Sequence, residues 1–405
     1  MTERRKEAVE LGITRPRYQY PFIDDSQCIG CGSCVAACPE GDVLGVVHGK
    51  ATIINGLRCV GHGYCEPACP VGALKVGLGD ITTREDIPLL DEHYQTNVPG
   101  LYIVGELGGL SLIRNAVTQG RAALEHIASN IARSTDNAVK DVIIVGAGPA
   151  GLSAALTAIQ HKLSYQVLDQ QAAGGTILQY PRRKLVMTQP VEIPLYGWLN
   201  RKEYSKEQLL EIWEDIIRQY QIDVLADHKL EHVVKENGVF KVITSKGEFY
   251  SRHVVLALGR RGTPRKLNVP GENLPKVMYQ LIDARGYNNH NILVVGGGDS
   301  AVEAAVGLAR QKGNKVFISY RKAKFFRIKK KNEDRIMGMI SKGKVIPIFN
   351  SHVKEIRVHS VVIQTEEEIK EIPNDYVFIF AGGLPPFEML KKMGIRFGGK
   401  MKAIA

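Results

Sequence analysis

The stretch 141–156, DVIIVGAGPAGLSAAL, decides the fold. An apolar strand runs into Gly146, Gly148 and Gly151, spaced G-x-G-x-x-G, and helix formers follow. The first glycine permits a tight turn, the second lets backbone approach a pyrophosphate, and the third packs helix on strand, so that the helix N-terminus faces the phosphates. A second strand, YQVLD (165–169), ends in Asp169, eighteen residues past Gly151, where a carboxylate can hold a ribose hydroxyl. The run approaches the length of a membrane span, but its glycines and proline suit a strand, turn and helix, so no membrane span is expected.

The pattern returns at 291–309, NILVVGGGDSAVEAAVGLA, with Gly296, Gly298 and Ala301 in the motif and Asp299 and Ser300 at the head of the helix. Its second strand, KVFISY (315–320), leads into Arg321 and Lys322, with Arg327 beyond. Cations there suit a 2′-phosphate, which favours NADPH and leaves NADH open. A plain basic turn is the alternative, because lysines continue to Lys331. At 405 residues the chain should form two or three domains. The net charge of +11 comes without a nucleic-acid-binding motif. It is read as serving cofactor phosphates and an acidic protein partner, not nucleic acid. The start, MTERRKEAVELGITRPRY, has no apolar core or cleavage site, so a cytoplasmic location is expected.

All seven cysteines lie between Cys28 and Cys69. Clustering at fixed spacing inside a cell points to metal over disulfides. Cys28, Cys31, Cys34 and Cys38 in CIGCGSCVAACP match C-x2-C-x2-C-x3-C-P in full. Three thiolates on such a loop wrap one cubane and the fourth, turned away by the proline, reaches a second. The later run RCVGHGYCEPACP (58–70) repeats the motif with Cys59, Cys65 and Cys69, but His62 replaces a cysteine. Residues 20–78 resemble a bacterial two-cluster ferredoxin, with GALKV (72–76) as the closing strand. The expected ligand sets are Cys28, Cys31, Cys34 and Cys69 for one 4Fe-4S cluster, and Cys38, Cys59, Cys65 and position 62 for the other. Zinc knuckles with four tetrahedral ligands are the plainer alternative, disfavoured by two Cys-Pro endings. Gly61 and Gly63 let the His62 loop curl tightly and leave its ring little to pack against. His62 is either a ligand that raises the cluster potential by removing thiolate charge, or a bystander beside a three-iron cluster.

Two dinucleotide motifs in one chain resemble the pyridine-nucleotide flavoprotein reductases, and residues 141–395 resemble the thioredoxin reductase group. VVLALGRRGTPRKLNVPGE (254–272) and VFIFAGGLPP (377–386) match its two crossovers between domains. The resemblance implies FAD in the first site, with Gly175 among its contacts, and NADPH in the second. The group's redox-active Cys-x-x-Cys should fall in VMYQLIDARGYNNH (277–290), which has no cysteine. A dithiol mechanism is therefore excluded, and the resemblance covers the scaffold.

The flavin-capping segment expected after residue 386 stands instead at 98–127, VPGLYIVGELGGLSLIRNAVTQGRAALEHI, before the first motif. Joining 393–404 to 81–100 would restore the usual order, so the chain reads as a circular permutant with the ferredoxin module at the cut. By resemblance Gly105 and Glu106 contact the ribityl chain, and Arg114, Asn115 and Ala116 lie along the flavin. The expected fold is α/β: two Rossmann-like dinucleotide-binding domains and a small α+β ferredoxin-like domain. Expected boundaries are 1–79 for the ferredoxin domain, 80–264 completed by 384–405 for FAD, and 265–383 for NAD(P)H. The short joint 132–141 favours completion within one chain, while a domain-swapped homodimer stays open.

The expected activity joins these parts. Hydride carries two electrons, a cubane takes one, and flavin exchanges with both. The chain reads as an NAD(P)H-dependent flavoprotein oxidoreductase passing electrons through two clusters to an acidic electron carrier or redox partner enzyme. The module, tethered by residues 79–98, should sit close to FAD. The alternatives are a flavin-site reductase of a small molecule fed by the clusters, with 174–195 in its pocket, and an electron-transfer subunit of a larger complex. No acid–base catalytic residue is nominated, and His93, His126 and His161 are read as ordinary surface or helix histidines.

Overall fold

The computed structural model describes residues 1–14, 16, 19–78, 84–109, 112–131, 138–180, 182, 185–187, 190–201, 203–260 and 262–398. The chain divides into two units, Met1–Gly77 with Thr263–Leu384, and Leu78–Gly262 with Pro385–Ala405.

The second unit is built on the strand Val139–Val145, whose last five residues are buried. It lies between Tyr165–Leu168 and Gly247–Leu256, parallel to both. Gly247–Leu256 continues into an antiparallel meander with Val239–Thr244 and Leu230–Glu236. Farther along the edge that faces away from Val139–Val145, Val254–Leu256 pairs in parallel with Leu101–Ile103. The early segment thus supplies a strand to a sheet whose other strands all come later in the chain. Its helix, Ile113–Asn130, packs on Pro149–Gln160 through small residues. A Cβ at Gly120 would fall 2.1 Å from the Ala150 carbonyl oxygen. Ser153 Oγ donates to the Val117 carbonyl at 2.7 Å. Leu124 and Ile127 are fully buried on this face, each worth about 1.5–3 kcal/mol of apolar burial.

Residues near the end of the chain return to this segment. Leu89 N donates to the Arg396 carbonyl at 2.9 Å, Asn97 Nδ2 to the Gly394 carbonyl at 2.9 Å, and Arg396 N to Asn97 Oδ1 at 2.8 Å. The two stretches that permutation would have joined are neighbours, although 79–83 and 399–405 lie outside the described residues. So does most of the joint at 132–141.

The first unit contains a five-stranded parallel sheet in the order Val277–Met278, Tyr376–Ile379, Asn291–Val295, Lys315–Ser319, Val345–Ile348. Helices Asp299–Ala309 and Lys330–Ser341 pack together, and a three-stranded antiparallel sheet spans 352–373. The crossover strands Thr263–Pro264 and Gly383–Leu384 pair with each other. The cysteine module has Tyr20–Ile23 antiparallel to Leu74–Gly77 and a hairpin Leu44–Val47/Lys50–Ile53. Its small core mixes Val43, Leu44, Ala51, Ala73 and Leu74 with Cys28, Cys34 and Cys65.

Gly120→Ala tests the helix contact. Propensity alone favours alanine by about 1 kcal/mol. The clash with backbone should outweigh this and cost about 1–3 kcal/mol net, read as a lower urea midpoint; an unchanged or higher midpoint would refute the packing.

Candidate functional site

The module gathers its cysteines around two hollows. Cys28, Cys31, Cys34 and Cys69 line one, whose other walls include Ile23, Ala51 and Leu74. Cys38, Cys59, Cys65 and His62 line another, together with Glu40. The loops need glycine to close: Gly30 has φ +68°, and a Cβ there would sit 2.0 Å from the Gly49 carbonyl oxygen. Ala51 N donates to Cys28 Sγ at 3.4 Å, the kind of contact that steadies a thiolate. Among the described residues no three His, Cys, Asp or Glu side chains converge on a single ion. Four ligand-type residues spread around a hollow suit a cluster, which holds its thiolates apart, better than a tetrahedral zinc.

Burial pushes the Cys34 and Cys38 thiols up, Cys59 to about 11 and Cys65 to about 12, whereas Ser33 bonding lowers Cys31. Iron entering the second hollow must therefore displace protons. His62 is lowered to about 4, first by burial and then by the nearby Lys329 charge, so its imidazole is neutral at neutral pH, the form that ligates metal. The sequence reading left this ring with little to pack against, and the structure corrects it. Its side chain is only 11 % exposed and stacks on Tyr64 at 5.6 Å, with Glu40 3.7 Å away.

The first glycine site assembles from both sides of the permutation. Gly146 has φ +113°, and a Cβ there would lie 2.3 Å from the Ala257 carbonyl oxygen; one at Gly151 would lie 1.7 Å from that of Gly146. Gly175 closes on Gly148, whose Cβ position is 3.7 Å from the Gly175 Cα. A Cβ at Gly105 would be 3.3 Å from that of Ala150 and 3.9 Å from that of Ala116, so the early segment reaches the head of the glycine-motif helix. Gln119, which sequence reasoning missed, accepts from Gly105 N at 2.7 Å. Glu106, Arg114 and Asn115 are half-buried beside it. Asp169 accepts from Ala147 N at 2.6 Å and Gln171 N at 2.8 Å, so it braces the glycine loop as well as ending the second strand. The shape fits a dinucleotide, since these glycines allow the tight turn and the close approach of helix to strand that a pyrophosphate-binding loop needs, and a side chain at either would strike backbone.

At the second site Gly296 has φ +142° and Ala301 is buried. Tyr320 packs over Gly297, and Arg327 Nη2 comes within 3.5 Å of the Cβ position of Gly298. Arg321, Lys322 and Ser300 are exposed. Asp299 Oδ1 accepts from Lys329 N at 2.9 Å and Asn332 Nδ2 at 2.7 Å. The helix head is thus tied to the basic segment. That segment in turn holds the cysteine module: Lys324 pairs with Glu7, Lys329 Nζ lies 3.4 Å from Glu40, Asn55 donates to the Phe326 carbonyl at 2.8 Å, and Arg58 to Glu333 at 2.9 Å. Lys324 and Lys329 are engaged by the module itself. Glu40 and Lys329 escaped the sequence reading, and the only signal was a charge directly after a Cys-Pro ending.

Two glycine-motif sites and a cysteine module with paired hollows define a nucleotide-linked redox protein. Residues 143–403 match the pyridine nucleotide-disulphide oxidoreductase family, and residues 20–70 match the 4Fe-4S dicluster domain. The chain belongs to the pyridine nucleotide-disulphide oxidoreductase family and is a flavoprotein oxidoreductase fused to that dicluster domain. It is 30% identical to the ferredoxin–NADP reductase of Ignicoccus hospitalis, over 65% of this chain and 83% of the relative. It is 29% identical to the bacilliredoxin reductase Bdr of Bacillus subtilis, over 62% and 80%. The bacillithiol disulfide reductase structure from Bacillus cereus superposes with a TM-score of 0.58 at 28% identity, covering 64% of this chain and 82% of that one. Among the described residues no helix is long and apolar enough to cross a membrane.

The hollows make a grouping testable by EPR of reduced single variants. Cys69→Ser should lose the same signal as Cys28→Ser, and Cys38→Ser the same signal as Cys59→Ser, each with about half the bound iron. Cys69 grouping with Cys59 would reject it.

Proposed function

We propose that the protein oxidises NAD(P)H and passes the electrons through FAD and two iron–sulfur clusters to a one-electron acceptor, a ferredoxin-type carrier. The observation that carries this reading is the pair of cysteine-lined hollows in a chain that has no cysteine elsewhere. Disulfide chemistry of the kind named for some relatives needs a dithiol that 277–290 lacks. The name of the Ignicoccus relative supplies the alternative, a ferredoxin–NADP couple.

Bound FAD would supply exchange between hydride and single electrons, and the clusters one-electron storage. The chain's own residues do the rest. Gly146, Gly148 and Gly151 bring backbone to the FAD pyrophosphate, and Gly105, Glu106, Arg114, Asn115 and Ala116 border the ribityl chain and ring. Gly296, Gly298, Asp299, Ser300 and Ala301 present the second helix head to the nicotinamide nucleotide. Arg321, Lys322 and Arg327 receive its 2′-phosphate, which makes NADPH the preferred donor. Cys28, Cys31, Cys34 and Cys69 hold one cluster; Cys38, Cys59, Cys65 and His62 hold the other. No general acid or base is required of the protein. The module and the flavin unit share one polypeptide, so transfer runs within the chain.

Anaerobic stopped-flow reduction by NADPH checks this. Cluster bleaching should follow flavin bleaching at a first-order rate unchanged on dilution; a rate rising with protein concentration would overturn the intrachain route, and flavin unreactive toward either nucleotide would overturn the function. Replacing Arg321 and Lys322 with alanine should raise KM for NADPH about 10- to 100-fold, the worth of charge-assisted phosphate bonds, and leave KM for NADH within about twofold. Equal effects on both nucleotides would mark the cations as a surface turn.

A further inference from the structure

Glu40 follows Cys38 and Pro39, and its side chain is 8 % exposed on the wall of the second hollow. A carboxylate beside an anionic cluster is unfavourable by charge alone, and burial adds to the cost unless it is paired. It has two partners. Oε1 lies 3.7 Å from His62 Nε2 and 3.4 Å from Lys329 Nζ. The carboxylate thus stands at ion-pair distance from the imidazole on the wall of the same hollow. Metal-bound histidines commonly give their remote N–H to a carboxylate, which fixes the ring and raises its basicity.

Lys329 reaches Glu40 from the nucleotide-binding half of the same unit. Its backbone N–H is held at 2.9 Å by Asp299, in the first turn of the helix that follows the second glycine motif. Asn332 bonds the same Oδ1 at 2.7 Å and Glu303 at 3.1 Å, which stiffens the connection. Arg58 to Glu333 and Asn55 to Phe326 hold the module against this segment independently of Glu40.

We propose that Glu40 is a positioning residue that orients His62 toward the second cluster, and that Lys329 links this carboxylate to the second nucleotide site. The inference rests on His62 being a cluster ligand. Nucleotide binding at Asp299 moves or steadies Lys329, and through Glu40 changes how strongly His62 donates to iron. By linkage, reduction of that cluster changes nucleotide affinity by the same factor.

The experiment uses the full reconstituted protein labelled with ¹⁵N-histidine and poised so that the second cluster is paramagnetic. The probe is 2′,5′-ADP, which has the 2′-phosphate and no nicotinamide to accept electrons. Wild type should show a ¹⁵N coupling that His62→Cys abolishes; no coupling in wild type refutes the ligand reading itself. Given that coupling, Glu40→Gln should alter it and raise the cluster potential, and this rise should vanish in the His62→Cys background. A rise of equal size there means that Glu40 acts only as a charge, and an unaltered coupling removes its positioning role. Lys329→Met provides the second arm should Glu40→Gln fail to assemble. In wild type, reduction of the second cluster should change 2′,5′-ADP affinity about fivefold or more, and in Lys329→Met less than twofold. Equal coupling in both proteins overturns the link.

Discussion

The strand Gly247–Leu256 is the element on which the flavin-binding unit depends. Its last residues pair with Ile143–Val145 on one side and Leu101–Ile103 on the other, and Val254, Val255 and Leu256 have no solvent exposure. Removing the early strand would leave a buried sheet edge with orphaned N–H and C=O groups, which folded proteins almost never tolerate. A segment that precedes the glycine motif in sequence therefore has to close the sheet behind it. The same requirement brings Gly105 to Ala150 and lays Ile113–Asn130 on the motif helix, so sheet closure and construction of the cofactor cradle are one event.

The cysteine module is held by a different kind of force. Its own apolar core is small, and seven of its side chains are thiols. Attachment to the parallel-sheet half of its unit relies on directional polar contacts: Arg58, with a 4 % exposed side chain, meets Glu333, and Asn55 meets the Phe326 carbonyl. Buried charges are costly unless matched, so these contacts specify one docking geometry more than they add stability. Within the basic run 321–331, Arg321 and Lys322 are left exposed while Lys324 and Lys329 turn to the module.

Much of this was legible in residue spacing. Glycine motifs, Cys-Pro endings and strand–helix alternation are local, because each is imposed by backbone geometry within one turn or by ligand reach within one loop. In space Cys69 shares a hollow with Cys28, and Cys38 with Cys59, so each hollow draws on both motifs. The displaced capping segment was legible too, since its pattern is self-contained. The partners of the charges were not legible. The sequence showed a basic run and offered phosphate or an external acidic protein as its targets, whereas two of its lysines face carboxylates near the chain's beginning.

Sequence by itself determined the family of the scaffold, the two glycine motifs, the cysteine spacing and the lack of cysteine in 277–290, all properties of neighbours along the chain. Only the tertiary structure decided that His62 is buried against Tyr64 and Glu40, that Gln119 holds Gly105, and that Lys329 stands between a nucleotide-helix head and a cysteine hollow. Asn55 and Phe326 are 271 positions apart yet bonded. Hydrogen bonds and charges act through space at a few ångströms, and no pattern of period or spacing records which distant residues the fold will bring within that reach.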